Sequence, residues 1–106
     1  MKNNSIEQEI VGIYSEIDSN SNLYKNSIKP IKLVLGSILN SLSKNKEIDS
    51  RTLRAYKDIC VLVVKNFEDS ALEIKFINLK KILTKEYPEF KDLKILGKEW
   101  GLQNPF

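Results

Sequence analysis

The side chains best suited to bind a partner lie at the C-terminal end of the chain. Three lysines are followed there by three large apolar residues, namely Lys91, Lys94, Lys98, Trp100, Leu102 and Phe106. Tryptophan is enriched among the residues that dominate the binding energy of protein interfaces. One interpretation is a displayed partner-binding surface. The other is that Trp100 and Phe106 only clamp this tail onto the rest of the protein.

The sequence offers few residues for other kinds of chemistry. It contains no histidine and one cysteine, Cys60. A histidine general base and an internal disulfide are therefore excluded. A zinc site is close to impossible, because Cys60 is the one available thiolate and there is no imidazole. The isolated glycines form no phosphate-binding loop. Because Cys60 lies on an apolar stripe, we expect a buried, inert thiol, and we predict no enzymatic activity, cofactor or metal site.

Charge is unevenly distributed, although the formal net charge is only +3. Residues 25–57 carry eight lysines and arginines against two acids, whereas residues 1–24 carry one lysine against four acids. A basic segment of this kind could contact an anionic membrane surface, an acidic protein or a nucleic acid. Scattered lysines are also normal on helical surfaces, and we favour that interpretation. The segment has only two arginines, which argues against specific nucleic-acid binding.

Length and composition predict one globular domain spanning residues 1–106. With 42% apolar and 29% charged residues among 106, the chain can bury one core but not two. The longest apolar run, residues 59–64, is far shorter than the roughly 18 residues that a membrane-spanning helix needs. The first residues show no apolar leader, so we expect a cytoplasmic protein.

Apolar residues recur at spacings of three and four, which predicts four amphipathic helices. Short polar residues mark the predicted helix starts, namely Ser5, Ser27, Asp49 and Ser70. Pro30 supports the second start, because proline is tolerated in the first turn of a helix. The polar residues 18–22 predict a loop after the first helix, and Pro88 predicts the end of the fourth.

None of these helices can bury its apolar stripe alone, so they must share a core. We predict that five residues from the last three stripes are buried together in this core, namely Leu39, Ile59, Val63, Phe76 and Leu79. Gly12 and Gly36 fall inside predicted helices, and we interpret them as points of close helix–helix contact. Short connections favour an all-α, antiparallel up-down-up-down four-helix bundle. Residues 89–106 then form a tail, with a short helix stopped by Gly97 and an irregular aromatic end.

The order of these features resembles that of a known family. An acidic, Ile- and Tyr-rich first helix leads through a Tyr-Lys turn to a Leu-rich second helix. An Asp-started third helix and an aromatic tail marked by Pro and Gly follow. The segments that carry the likeness are LYKNSIKPIKLVL, KNKEID and YKDICVLVVKNF. In this order the chain is similar to the immunity proteins of pediocin-like (class IIa) bacteriocins, of the enterocin A immunity type, which protect lactic-acid bacteria from their own bacteriocins.

The resemblance implies a function that residue spacing does not provide. It implies a cytoplasmic protein that binds, from inside the cell, the complex of bacteriocin with membrane-embedded mannose phosphotransferase components. It also places specificity in the C-terminal half, which gives the lysines and aromatic residues of the tail a general partner-contacting role. A peripheral contact with the inner face of the membrane stays open, and no nucleic-acid partner is expected. The alternative is a small helical protein- or nucleic-acid-binding module of an unrelated system.

Overall fold

Residues 2–92 are described by this computed structural model, with side chains from residue 5 onward. All regular elements within this range are helical. They are α1 (Lys2–Ser19), α2 (Ser21–Tyr24), α3 (Ile28–Ser43), α4 (Ser50–Asn66), α5 (Ala71–Glu86) and a 3-10 helix (Pro88–Asp92). The all-α prediction is confirmed, and α1, α3, α4 and α5 correspond to the four predicted helices.

Side-chain caps fix the starts of α4 and α5, as predicted. Asp49 Oδ1 accepts a hydrogen bond from the Thr52 N–H at 2.8 Å, and this backbone donor lowers the pKa of Asp49 by stabilising its charged form. Ser70 Oγ accepts from the Glu73 N–H at 3.1 Å. The Glu73 carboxylate in turn accepts from the N–H of Asp69, which has a positive φ of 66°. In a standard capping box the Glu73 side chain would accept from the N–H of the cap residue, Ser70. Here it accepts from the residue before the cap, which is a variant of that motif.

The N-terminal third differs from the prediction in two places. Ser5 lies within α1 rather than at its cap, because the helix begins three residues earlier. The predicted loop over residues 18–22 is reduced to a break at Asn20, whose side-chain amide donates to the Glu16 carboxylate at 3.1 Å. The Tyr24 hydroxyl donates to the same carboxylate at 2.8 Å. Burial and the neighbouring Glu16 raise the pKa of Tyr24, so its hydroxyl group stays protonated and can donate this bond. The bond connects α2 to α1.

The four long helices bury their apolar stripes against one another. α1 packs mainly on α5 and also on α3, while α4 packs on both α3 and α5. The buried stripe of α1 is entirely isoleucine, comprising Ile6, Ile10, Ile13 and Ile17. The 3-10 helix packs on α5 and α4 and adds Phe90 to the same core. One continuous core therefore includes side chains from both ends of the described chain.

The predicted core is confirmed except at its edge. Ile59, Val63, Phe76 and Leu79 are buried, but Leu39 is only partly buried and packs at the margin. At the centre, the Tyr56 and Phe76 rings are stacked with centroids 5.4 Å apart. The Tyr56 hydroxyl donates to the Phe76 carbonyl at 2.7 Å, which satisfies a polar group that would otherwise be costly to bury.

Close helix packing does not explain the two helical glycines, so that interpretation was wrong. A Cβ at Gly36 would meet no atom within 4 Å, and a Cβ at Gly12 would meet only the end of the flexible Lys75 side chain at 3.7 Å. Both positions have room for a methyl group. The glycines therefore cost helix stability without gaining a closer contact.

We expect Gly36→Ala to raise the free energy of unfolding by about 0.5–1 kcal/mol, because alanine restricts the unfolded chain and fits the helix. Urea denaturation followed by circular dichroism measures the change. Gly12→Ala is the matched variant and should also stabilise the protein. A loss of stability at Gly36 would restore the close-contact interpretation.

Candidate functional site

Most of the predicted binding tail lies outside the described residues. Of the six predicted site residues, only Lys91 lies within the described range, and it is exposed in the 3-10 helix. The other five, Lys94, Lys98, Trp100, Leu102 and Phe106, lie outside the described residues, as does the predicted helix stop at Gly97. Their role in a binding surface stays a prediction. The structure does define how the base of the tail is held.

Lys57 of α4 attaches the base of the tail to the helical core. Its Nζ donates to the carbonyl oxygens of Phe90 at 3.1 Å and Lys91 at 3.0 Å. The same ammonium lies 5.5 Å from the centroid of the Phe90 ring. Carbonyl groups at a helix C-terminus and the face of an aromatic ring both attract a cation. A side chain of α4 therefore holds the 3-10 helix against the helical core.

Apolar packing holds the other side of this base. The Phe90 ring is buried and lies tilted against Tyr56, with centroids 6.3 Å apart. The nearby Tyr87 hydroxyl accepts a hydrogen bond from the Ile48 N–H at 3.3 Å. The predicted boundary of the tail, at residue 89, thus falls inside a segment that belongs to the core. Sequence reasoning missed Lys57, because no local pattern connects it to residues 33 and 34 positions away.

We expect Lys57→Met to increase the hydrogen-exchange rate of the Phe90 amide about tenfold or more. That amide donates to the Tyr87 carbonyl at 2.8 Å, and methionine keeps the aliphatic stem while removing the charged donor. Bonds from a charged donor contribute about 1.5–3 kcal/mol each, so local opening should become easier. Lys81→Met, at an exposed position of α5, is the control and should leave this rate unchanged. Equal rates in both variants would contradict the attachment.

An apolar groove of about 260 Å³ lies between α4 and α5 beside the base of the tail. Cys60 and Phe76 contribute to its lining, and Lys57, Lys65 and Lys80 also border it. Burial raises the pKa of the Cys60 thiol to about 12, so the thiolate is not available near neutral pH. The predicted burial of this thiol is confirmed. The groove can accept an apolar side chain but contains no activated nucleophile.

The basic segment maps onto the outer side of α3 and the start of α4. Lys29 and Lys32 are exposed on α3, and Arg51 and Arg54 are exposed on α4. Lys32 Nζ lies 3.6 Å from the Asp18 carboxylate and 5.8 Å from the centroid of the Tyr14 ring. Both partners of the ion pair are well exposed, so it adds little to stability.

Residues 2–92 contain no cluster of three or more His, Cys, Asp or Glu side chains that could hold a metal ion. Within the same residues, no helix combines the length and apolar character needed to cross a membrane. No protein-family model matches the chain, and no curated protein or solved structure matches it either. A functional assignment therefore depends on the sequence features and the geometry described above.

Proposed function

We propose that this protein is an immunity protein against a pediocin-like (class IIa) bacteriocin. It would act from the cytoplasmic side by binding the complex of bacteriocin and membrane-embedded mannose phosphotransferase components. The observation that carries the proposal is the order of features over residues 24–67, followed by a tail rich in lysine and aromatic residues. The proposed activity is binding without turnover, for which the protein needs no cofactor.

We infer that the four long helices form an antiparallel up-down-up-down bundle. Two observations support this arrangement: α1, α3, α4 and α5 contact one another in a closed ring, and the connections between α3, α4 and α5 are short. The 3-10 helix follows α5 directly and contacts α4 through Tyr56 and Lys57, near the middle of that helix. The tail then starts from a base held by both helices, which suits a recognition element.

The attachment at Lys57 supports a displayed tail because it reduces the entropy lost on binding. A segment that starts from a fixed point and direction loses less conformational freedom when it meets a partner. Trp100 and Phe106 would supply apolar anchors for the receptor complex. Lys91, Lys94 and Lys98 would favour approach to an anionic membrane, where each lysine contributes about 1 kcal/mol.

Expression of the protein in a bacteriocin-sensitive strain tests the proposal. The strain is challenged with a panel of pediocin-like peptides, and growth inhibition is compared with that of the same strain carrying an empty vector. We expect protection against at least one peptide of the panel. A membrane-disrupting peptide that uses another receptor is the control and should kill both strains equally. Full sensitivity to every peptide, with the protein folded and expressed, would overturn the proposal.

The basic segment supports a second candidate, a helical module that binds nucleic acid. Neutralisation of phosphates by lysine and arginine makes such binding fall steeply as the salt concentration rises. A titration with duplex DNA at two salt concentrations separates the candidates. Binding that weakens strongly with salt, together with absence of protection, would favour the nucleic-acid module.

A further inference from the structure

The outer face of α3 combines exposed lysines with an exposed leucine. Positions 29, 32, 33, 36, 37 and 40 lie on the side of the helix opposite the buried stripe, as a turn of 100° per residue requires. Lys29 and Lys32 are exposed there, and the Leu33 side chain is 60% exposed. A single exposed apolar side chain is common on protein surfaces, so the face is defined by Leu33 together with these cations.

Arg51 of α4 extends this surface beyond α3. Leu33 and Ser37 of α3 and Arg51 and Thr52 of α4 line one shallow groove of about 340 Å³. Buried Val34 and Ala55 also contribute to its lining. The exposed leucine therefore lies beside an apolar depression that has an arginine at its edge.

The α3 helix itself carries no negatively charged side chain. Residues 19–46 contain five lysines and neither aspartate nor glutamate. The flanking acids are already engaged: the Asp18 carboxylate lies 3.6 Å from Lys32 Nζ, and Asp49 accepts from the Thr52 N–H. Asp18 therefore offsets part of the charge of Lys32, and Asp49 lies two residues from Arg51, so the face keeps its net positive charge through Lys25 and Lys29.

We propose that this α3 face, defined as Lys29, Lys32, Leu33 and Arg51 together with Lys25, which is exposed three residues before α3, docks on an anionic lipid bilayer. The inference rests on the proposed function for its biological role, since it names the face that would hold the protein near a membrane receptor. Each cation near an anionic leaflet strengthens binding about fivefold. The exposed leucine favours a bilayer over a nucleic acid, because an apolar side chain is stabilised by insertion among acyl chains but not by contact with phosphates.

Sedimentation with lipid vesicles tests the docking face. The full chain is mixed with vesicles of phosphatidylcholine alone or with phosphatidylglycerol added, and the bound fraction is measured at low salt. We expect binding only to the anionic vesicles. Replacement of Lys25, Lys29 and Lys32 with glutamine should weaken it about 100-fold. The matched control replaces Lys80, Lys81 and Lys85, exposed on α5, and should change it less than tenfold.

A second pair of variants tests the apolar contact at constant charge. Leu33→Ser should weaken vesicle binding about fivefold, whereas Ile74→Ser, at a side chain 57% exposed on α5, should not weaken it. Absence of binding to anionic vesicles would overturn the proposal, as would equal losses in the two lysine variants. Tighter binding to duplex DNA, lost in the α3 variant alone, would assign the face to nucleic acid instead. Vesicle binding needs neither bacteriocin nor receptor, so its failure is distinguishable from a failure of immunity.

Discussion

Replacing Phe76 with alanine is expected to lower the free energy of unfolding by about 3–5 kcal/mol. The ring is 1% exposed and stacks on Tyr56 at the centre of the contact between α4 and α5. Its removal loses the transfer energy of the buried ring and leaves a cavity that the neighbouring helices cannot fill completely. Urea denaturation, followed by circular dichroism at a helical wavelength, measures the loss.

Ile77→Ala provides the matched comparison for Phe76. Ile77 is the next residue of α5, but its side chain is 38% exposed and lines the groove between α4 and α5. We expect it to cost about 1 kcal/mol or less, because the side chain is already partly solvated. A loss of under about 1 kcal/mol for Phe76→Ala would mean that α5 presents a different face to the core.

Trp100→Ala is expected to reduce affinity for the receptor complex about thirtyfold, equivalent to about 2 kcal/mol. This follows from the proposed function, in which Trp100 is an apolar anchor of the tail. The measurement is the bacteriocin concentration that inhibits growth of the sensitive strain expressing each variant. If Trp100 only clamps the tail, the variant should instead unfold at a lower temperature and still protect at high expression.

Deletion of the chain after Gly97 gives a second test of the tail. The helices from α1 to the 3-10 helix already share one core that includes Phe90, so we expect the truncated protein to stay folded while protection disappears. Circular dichroism and protection are measured on the same variant. A folded, truncated protein that protects as well as the intact chain would exclude the tail as the recognition element. The basic segment would then become the candidate.

Local signals in the sequence were sufficient to predict most of the helices. Asp49 and Ser70 bond to amide groups three residues away, so the information for these caps is contained in a single turn. Ser5 was wrongly predicted to cap α1. Adding one turn to an existing helix costs less than starting a helix, and a serine is tolerated in the helix interior. Leu39 lies at the edge of its stripe, where burial depends on how α3 is rotated against its neighbours.

The contacts that hold the base of the tail could not be predicted from the sequence. Lys57 looked like one more surface lysine, and its contacts with Phe90 and Lys91 exist only because α4 and the 3-10 helix come together in the fold. By contrast, the burial of Cys60 was predictable, because it lies on an apolar stripe. The helical glycines were interpreted as points of close helix packing because of their small size. That interpretation was wrong, since a Cβ at Gly36 would meet no atom within 4 Å.

The contact between α1 and α5 has a consequence for the order of folding. The four isoleucines of α1 face mainly α5, which begins more than 50 residues downstream and is the last of the four long helices to be synthesised. During synthesis, the part of the α1 stripe that packs on α5 stays uncovered while α3 and α4 can already pair. Contacts between distant segments form slowly because a long loop must close first. We expect docking of the N-terminal helix to be a late step on the ribosome, and the nascent chain to be most prone to aggregation just before α5 emerges.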